Sequence, residues 1–469
     1  MFDIIYSRRS GKVLLSQNSN NQIRFTPEDV AKIFPHLDLS DINIWHTNDD
    51  ITLYTRVIPL DEEGMPKGFD DKFDKVDKCS YIPSEISRVA DPELTIWRGP
   101  FFAATGYANM NRELCLRLVR SGLNLKLEFF PAAKQIEKEV YEELNKFKNT
   151  SKDPGKAAIT GFVPIVPKGD ERYQVFYTMM ETSSTHPEFV RRLNDYADEV
   201  WVPTQWNADM FLESGVEKPI HVFPLGVDEN KFNPKETGKL DIAYRSADTF
   251  KLVERQKSFK FLSIFRWAFS KSPDLTIRAF AEEFSPDEDV CLAICSHSTL
   301  SKKIRSELFS YLDGLDKIPS IYLYTDVMPI GMMPHLYKDA DCYVAPSRGE
   351  GFCLPLFEAA CMEKPVISAL NTAMTDFLTE ENSYYLTTDE MMEAHEPLKR
   401  ISAYYHGQKF PKLGKKKVVE LRQLMRNVYE NYAEAQRKAR KFREEVLSKY
   451  TWRHAAHRIQ KRIEQGFTK

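Results

Sequence analysis

The chain has 469 residues and a mass of 54.4 kDa, with 42% apolar and 28% charged residues, which predicts two or three folded domains and excludes wholesale disorder. A net charge of −3 sets up no global field for nucleic acid, and no apolar run approaches the roughly 20 residues of a membrane span. The seven cysteines are scattered without a CxxC pair, which argues against a disulfide scaffold or a cysteine zinc site and for a reducing, cytoplasmic setting. Met1-Phe2-Asp3-Ile4 lacks the basic start and apolar core of a signal peptide, so none is expected.

The first ninety residues read as irregular, with short strands. Thr26 caps a short helical pattern with Pro27 at its first position, and Ile51 to Ile58 is β-rich. No chemistry is evident there. From Leu94 the pattern changes. Leu94 to Trp97 predicts a strand, Gly99 to Gly106 a turn of small residues, Tyr107 to Arg120 a helix stopped by Gly122, and Leu123 to Phe130 a second strand. A charged amphipathic helix over 134–148 follows. Further strands fall at Tyr173–Met179, Glu199–Val202 and Ile220–Phe223, with helices at Glu188–Asp195 and Asn207–Ser214 between them.

Asp228 to Thr237 is turn-rich and reads as a linker. A second run then alternates strands at Phe259–Phe265, Val290–Cys295, Ile321–Tyr324, Cys342–Ala345 and Val366–Ser368 with helices at Pro273–Phe284, Leu300–Leu312, Met332–Lys338 and Leu354–Met362. Strict alternation at short intervals predicts a doubly wound parallel sheet, so the chain holds two such sheets in tandem. The expected fold class is α/β, two Rossmann-like doubly wound domains facing across a cleft, with an N-terminal extension and a long C-terminal helix. The expected boundaries are 1–92, 93–235, 236–445 and 446–469. From Pro411 onward, 17 Lys and Arg stand against 6 Asp and Glu, a net +11. That stretch is either a solvated helix docked by its apolar side or a surface for peripheral contact with an anionic membrane or polyanion.

In doubly wound sheets ligands bind just beyond the carboxyl ends of the strands, and the chemistry-bearing residues fall there. Arg348-Gly349-Glu350-Gly351-Phe352-Cys353-Leu354 follows the strand Cys342–Ala345, and Glu358 lies eight residues past Glu350 in the next helix. The N–H groups of Gly351, Phe352, Cys353 and Leu354 are the unpaired donors of a helix start, suited to phosphate or sugar oxygens. Gly351 lets a ligand approach the backbone, and a carboxylate accepts paired hydroxyls. Arg266 and Lys271 follow the strand Phe259–Phe265, where a guanidinium fork and a point charge suit a diphosphate.

The acid pair, the Arg266–Lys271 pair, and the blocks Ala197 to Thr204, Ser214-Gly215-Val216, Pro224 to Asp228 and Ala340 to Ser347 together resemble retaining glycosyltransferases of the GT-B fold, family 4. The resemblance covers roughly four fifths of the chain, from Leu94 onward. It implies a nucleotide diphosphate sugar donor, a hydroxyl-bearing acceptor and hexosyl transfer without a metal or other cofactor. Carried over by position, Glu350 contacts the transferred sugar and Glu358 the ribose. Arg266 and Lys271 hold the diphosphate, amides of Phe352, Cys353 and Leu354 touch sugar and phosphate, and Val327 lies by the base. Thr105 and Gly106 approach the diphosphate from the first domain, and Tyr450-Thr451-Trp452 marks the return of the final helix to that domain.

The chain departs from the pattern where many relatives carry a His at the mouth of the first domain. Here Glu181 stands at that strand end, either orienting or deprotonating the acceptor hydroxyl or bonding the loop after it. His186, before Pro187, is a loop or cap residue or a second catalytic candidate. Asp287-Glu288-Asp289 imitates a metal-binding DxD but precedes a strand, so it reads as a structural loop. The alternative to an enzyme is a non-catalytic nucleotide-sugar or carbohydrate-binding protein on the same fold.

Overall fold

The structure, a computed structural model, describes strand residues 2–6, 13–18, 42–47, 58–59 and 77–78 of the first 91 residues. From 94 onward it describes all but 131–137, 147–154, 168–171, 236–237, 239, 241, 243, 247–256, 297–300, 327, 395–404, 406 and 468–469. The chain divides into two units, Met1–Asp91 and Pro92–Lys469. In the first unit, strands β1 (Phe2–Tyr6), β2 (Val13–Asn18), β3 (Ile42–Thr47), β4 (Ile58–Pro59) and β5 (Asp77–Lys78) form one mixed sheet in the order β4-β1-β2-β3-β5. β1 and β2 are antiparallel, with Phe2 opposite Gln17, and β2 and β3 are parallel. The helical pattern opening at Thr26 and most of Ile51–Ile58 lie outside the described residues.

The second unit contains two lobes. The first lobe runs β6 (Thr95–Gly99), α1 (Gly106–Arg120), β7 (Leu125–Phe129), α2 (Lys138–Lys146), β8 (Ala157–Thr160), β9 (Tyr173–Tyr177), α3 (Pro187–Tyr196), β10 (Glu199–Val202), α4 (Gln205–Glu213) and β11 (Ile220–Val222). Its sheet order is β11-β10-β9-β8-β6-β7, and every pairing is parallel. Thr105 caps α1, accepting from the Ala108 N–H, and α1 buries Met110, Leu114 and Leu118 at helical spacing.

The second lobe runs β12 (Arg245–Ser246), β13 (Phe259–Ile264), a 3₁₀ turn (Phe269–Lys271), α5 (Pro273–Glu283), β14 (Val290–Cys295), α6 (Ser301–Leu312), β15 (Ser320–Tyr324), α7 (Met333–Lys338), β16 (Cys342–Ala345), α8 (Leu354–Cys361), β17 (Val366–Ala369) and β18 (Tyr384–Leu386). Sheet order is β12-β15-β14-β13-β16-β17-β18, parallel but for the edge strand β12. β14 and β16 are buried along their whole length, as central parallel strands with helices on both faces must be. A small antiparallel hairpin, β19 (Met391–Glu393) and β20 (Lys409–Pro411), is set apart from that sheet.

Where a single long terminal helix is expected, three helices follow: α9 (Lys415–Glu430), α10 (Tyr432–Lys449) and α11 (Trp452–Glu464). They break at Asn431, and at Tyr450 and Thr451, with Thr451 capping α11. α11 lies on the first lobe. Its Ile459 and Ile463 join the core of α1, and Arg462 pairs with buried Glu199 at 2.7 Å. Val227 and Tyr450–Trp452 run side by side as backbone, joined by two N–H to carbonyl bonds of 2.9 and 3.1 Å. Part of the tail's positive charge is spent internally, since Arg422 and Arg426 of α9 pair with Glu282, Glu283 and Glu288. Asp287-Glu288-Asp289 behaves as a loop: Glu288 accepts from Ser285 and Arg426, and Asp289 accepts from Ser258. Among the described residues no helix is long and apolar enough to cross a membrane.

Candidate active site

The loops after β9, β13, β16 and β17 converge where the two lobes meet. Each places at least one polar group there. The Lys271 ammonium, at the end of the 3₁₀ turn after β13, lies 2.9 Å from Glu181 of the first lobe and 2.9 Å from Glu350 of the second. It also donates to the Gly349 carbonyl at 3.2 Å. Burial works against its charge, but the two carboxylates outweigh that and hold it above the usual lysine range. Burial pushes the Glu350 carboxyl up, Lys271 opposes this, and Glu181 adds to the rise.

Glu350 is fixed from several sides. Its second oxygen accepts from Ser347 at 2.7 Å, its N–H donates to the Thr372 hydroxyl at 3.0 Å, and its carbonyl accepts from the Ala373 N–H. Arg348 clamps this loop to the lysine turn. Its guanidinium is bidentate to Asp274 at 2.7 and 2.8 Å, lies 4.0 Å from the centre of the Phe269 ring, and donates to the Phe269 carbonyl. Its N–H bonds the Ser270 carbonyl at 2.7 Å.

The backbone here is strained. Among the described residues, four non-glycines adopt left-handed φ, and three of them line this site: Ser272 (52°), Cys353 (64°) and Thr372 (47°). Such conformers cost about 1–3 kcal/mol each and persist where the surroundings impose them. Thr372, β-branched, is the most unfavourable type.

The remaining candidates fall into place around the cluster. Glu358, partly buried on α8, accepts from Tyr337 at 2.7 Å; burial raises its pKa and that bond offsets part of the rise. Glu358 does not join the Lys271 cluster. Arg266 is exposed just beyond β13 and also stands outside it. The Phe352 ring is core, stacked on Phe357 at 4.4 Å, which leaves its backbone for a ligand. Cys353 precedes α8, burial raises its thiol pKa, and Leu354 opens the helix. Thr105 and Gly106 are exposed at the start of α1. Val327 lies outside the described residues. His186 is taken up as the N-cap of α3, its Nδ1 accepting from the Glu188 N–H at 3.1 Å. Of its two readings, this is the cap.

Several residues of the site were not singled out from sequence. Tyr107 of α1 pins the strand end that carries Glu181, bonding Thr178 and both backbone groups of Met179; burial pushes its pKa up to about 12. Asn207 of α4 bridges the lobes, accepting from Met180 N–H and donating to the Gly351 carbonyl at 3.0 Å. Tyr405, beside the hairpin, donates to the second oxygen of Glu181 at 3.4 Å. These contacts join positions far apart in sequence, so no local pattern announces them. Of the three left-handed residues here, only Cys353 lies inside a motif the sequence displays.

Two doubly wound lobes with their strand ends meeting around a charged cluster are the architecture of the GT-B fold. Residues 245–412, in the second lobe, match the model of the family glycosyl transferases group 1. HepE of Anabaena, solved with UDP and glucose, is similar at a TM-score of 0.56 and 13% identity over 80% of this chain and 100% of that one. A glycosyltransferase from Rickettsia africae gives 0.57 and 12%, over 80% and 100%. Sucrose-phosphate synthase of Thermosynechococcus elongatus gives 0.57 and 13%, over 80% and 98%. At these identities the likeness carries the fold alone. A search of curated protein sequences finds no significant match.

Proposed function

We propose that the chain transfers a hexosyl group from a nucleotide diphosphate sugar to a hydroxyl acceptor with retention at the anomeric carbon, without a metal. The observation that carries this reading is Lys271, buried where the lobes meet and flanked by Glu350 and Glu181. In the transfer, the bond from the anomeric carbon to the diphosphate oxygen breaks and a bond to the acceptor oxygen forms on the same face. The acceptor proton leaves to the departing phosphate. Negative charge grows on the diphosphate; Lys271 and the N–H groups at the start of α8 stand to meet it, and the exposed Arg266 supplies a further cation. Glu350 grips the sugar, Glu358 the ribose, and Glu181 orients the acceptor hydroxyl. Fold relatives solved with UDP and UDP-glucose support starting the donor search with uridine nucleotides.

The test is a transfer and donor-hydrolysis assay over UDP-, GDP-, ADP- and TDP-hexoses. One donor is expected to turn over, with Glu350→Gln lowering kcat by about 10²-fold or more. Full turnover in Glu350→Gln would remove that residue from the reaction, and no turnover with any hexose donor would overturn the reading.

A further inference from the structure

The junction cluster holds one positive side chain and two negative ones. An ammonium has three N–H donors, and those of Lys271 go to Glu181, Glu350 and the Gly349 carbonyl. None is left for a phosphate oxygen. A diphosphate adds at least two negative charges, and a buried ammonium does not hold it beside both carboxylates at once. One partner has to yield.

The two carboxylates differ in how they are held. Glu350 is tied down by Ser347, Thr372 and Ala373, on a loop clamped by Arg348 and Asp274. Glu181 reaches in from the opposite lobe, and its other oxygen has the long 3.4 Å bond from Tyr405. Its side chain is 24% exposed, against 12% for Glu350. Its backbone is fixed, because the Glu181 carbonyl packs directly on Gly349. The side chain can therefore turn away while the loop stays.

We propose that Glu181 is a displaceable counter-ion which competes with the donor diphosphate for Lys271, so that donor binding frees the carboxylate to act on the acceptor side. This rests on the reading of Lys271 as a diphosphate ligand. It makes binding ordered: the donor enters first, and the acceptor meets a Glu181 already released from the lysine. It also sets the sign of a substitution. Removing the competitor tightens the donor while harming transfer, whereas a merely structural residue would weaken both.

The experiment is isothermal titration of UDP, GDP, ADP and TDP into the wild type, Glu181→Gln and Glu181→Ala, with kcat for transfer measured alongside. The nucleotide that binds the wild type is expected to bind both variants about tenfold more tightly, with kcat reduced. Tyr405→Phe, which loosens Glu181 while keeping its charge, is expected to tighten binding about twofold and covers the case in which the charge variants fail to fold. Unchanged or weaker binding in all variants, with a clear wild-type signal, would overturn the counter-ion role and leave the donor reading standing. No binding of any nucleotide to the wild type would overturn the donor reading, and the counter-ion role with it.

Discussion

The two lobes share one architecture but carry their chemistry differently. In the second lobe the loops after β13, β16 and β17 bring a lysine, a glutamate and a threonine into one hydrogen-bonded cluster on strained backbone. In the first lobe the loop after β9 offers one carboxylate, and the loop before α1 offers only small exposed residues. The second lobe is thus built to hold one fixed ligand shape. The first presents a single charge, on a strand end that Tyr107 and Asn207 hold.

The largest effect expected from breaking this contrast is at Lys271. Lys271→Met leaves Glu181 and Glu350 facing each other without a cation, which should cost about 3–5 kcal/mol of stability and lower turnover by about 10²–10³-fold. Denaturant unfolding and a transfer assay measure the two. The sign with pH follows from the raised lysine pKa: the stabilisation is complete below the usual lysine range and is lost as pH rises through the higher folded value. The gap in stability between wild type and Lys271→Met should therefore hold up to about pH 10 and narrow above it.

An intermediate effect tests how tightly the lobes meet. A Cβ on Gly349 would lie 2.0 Å from the Glu181 carbonyl oxygen, a backbone atom that cannot step aside. A Cβ on Gly351 would meet the flexible Met179 side chain at 2.7 Å. Gly349→Ala should cost about 3 kcal/mol, with turnover lost, and Gly351→Ala about 1 kcal/mol. Equal melting temperatures for the two variants would show that the lobes do not close as described.

The smallest effect sharpens the point about strain. Ser272→Gly and Cys353→Gly relieve left-handed non-glycine backbone, and each should gain about 1 kcal/mol. Ser272→Gly also removes a buried hydroxyl without a hydrogen-bond partner. Calorimetry of each variant checks the gain, and a loss would show that the side chains offset the strain they impose.

Much of this was legible in the sequence, because periodicity and strand-end position are local. The order of most strands and helices, and the spacing of Arg266, Lys271, Glu350 and Glu358 behind their strands, could be read directly. The elements missed lack such signals. β8, Ala157–Thr160, is a central strand of four buried residues with no alternation. The breaks at Asn431 and Tyr450 carry neither glycine nor proline, so the tail reads as one helix. The pairing of Lys271 with Glu181 joins residues 90 positions apart on different sheets, and no window of sequence contains it.

The seating of α11 on the first lobe has a consequence for synthesis. That lobe begins near residue 94, yet Trp452, Ala455, Ile459 and Ile463 belong to its hydrophobic core. As the chain emerges from the ribosome, β6 to β11 are made long before the helix that covers α1. The first lobe therefore waits, with apolar surface open, while the whole second lobe is translated. Its completion is a late event, and the nascent chain is exposed to aggregation and chaperone capture over that interval.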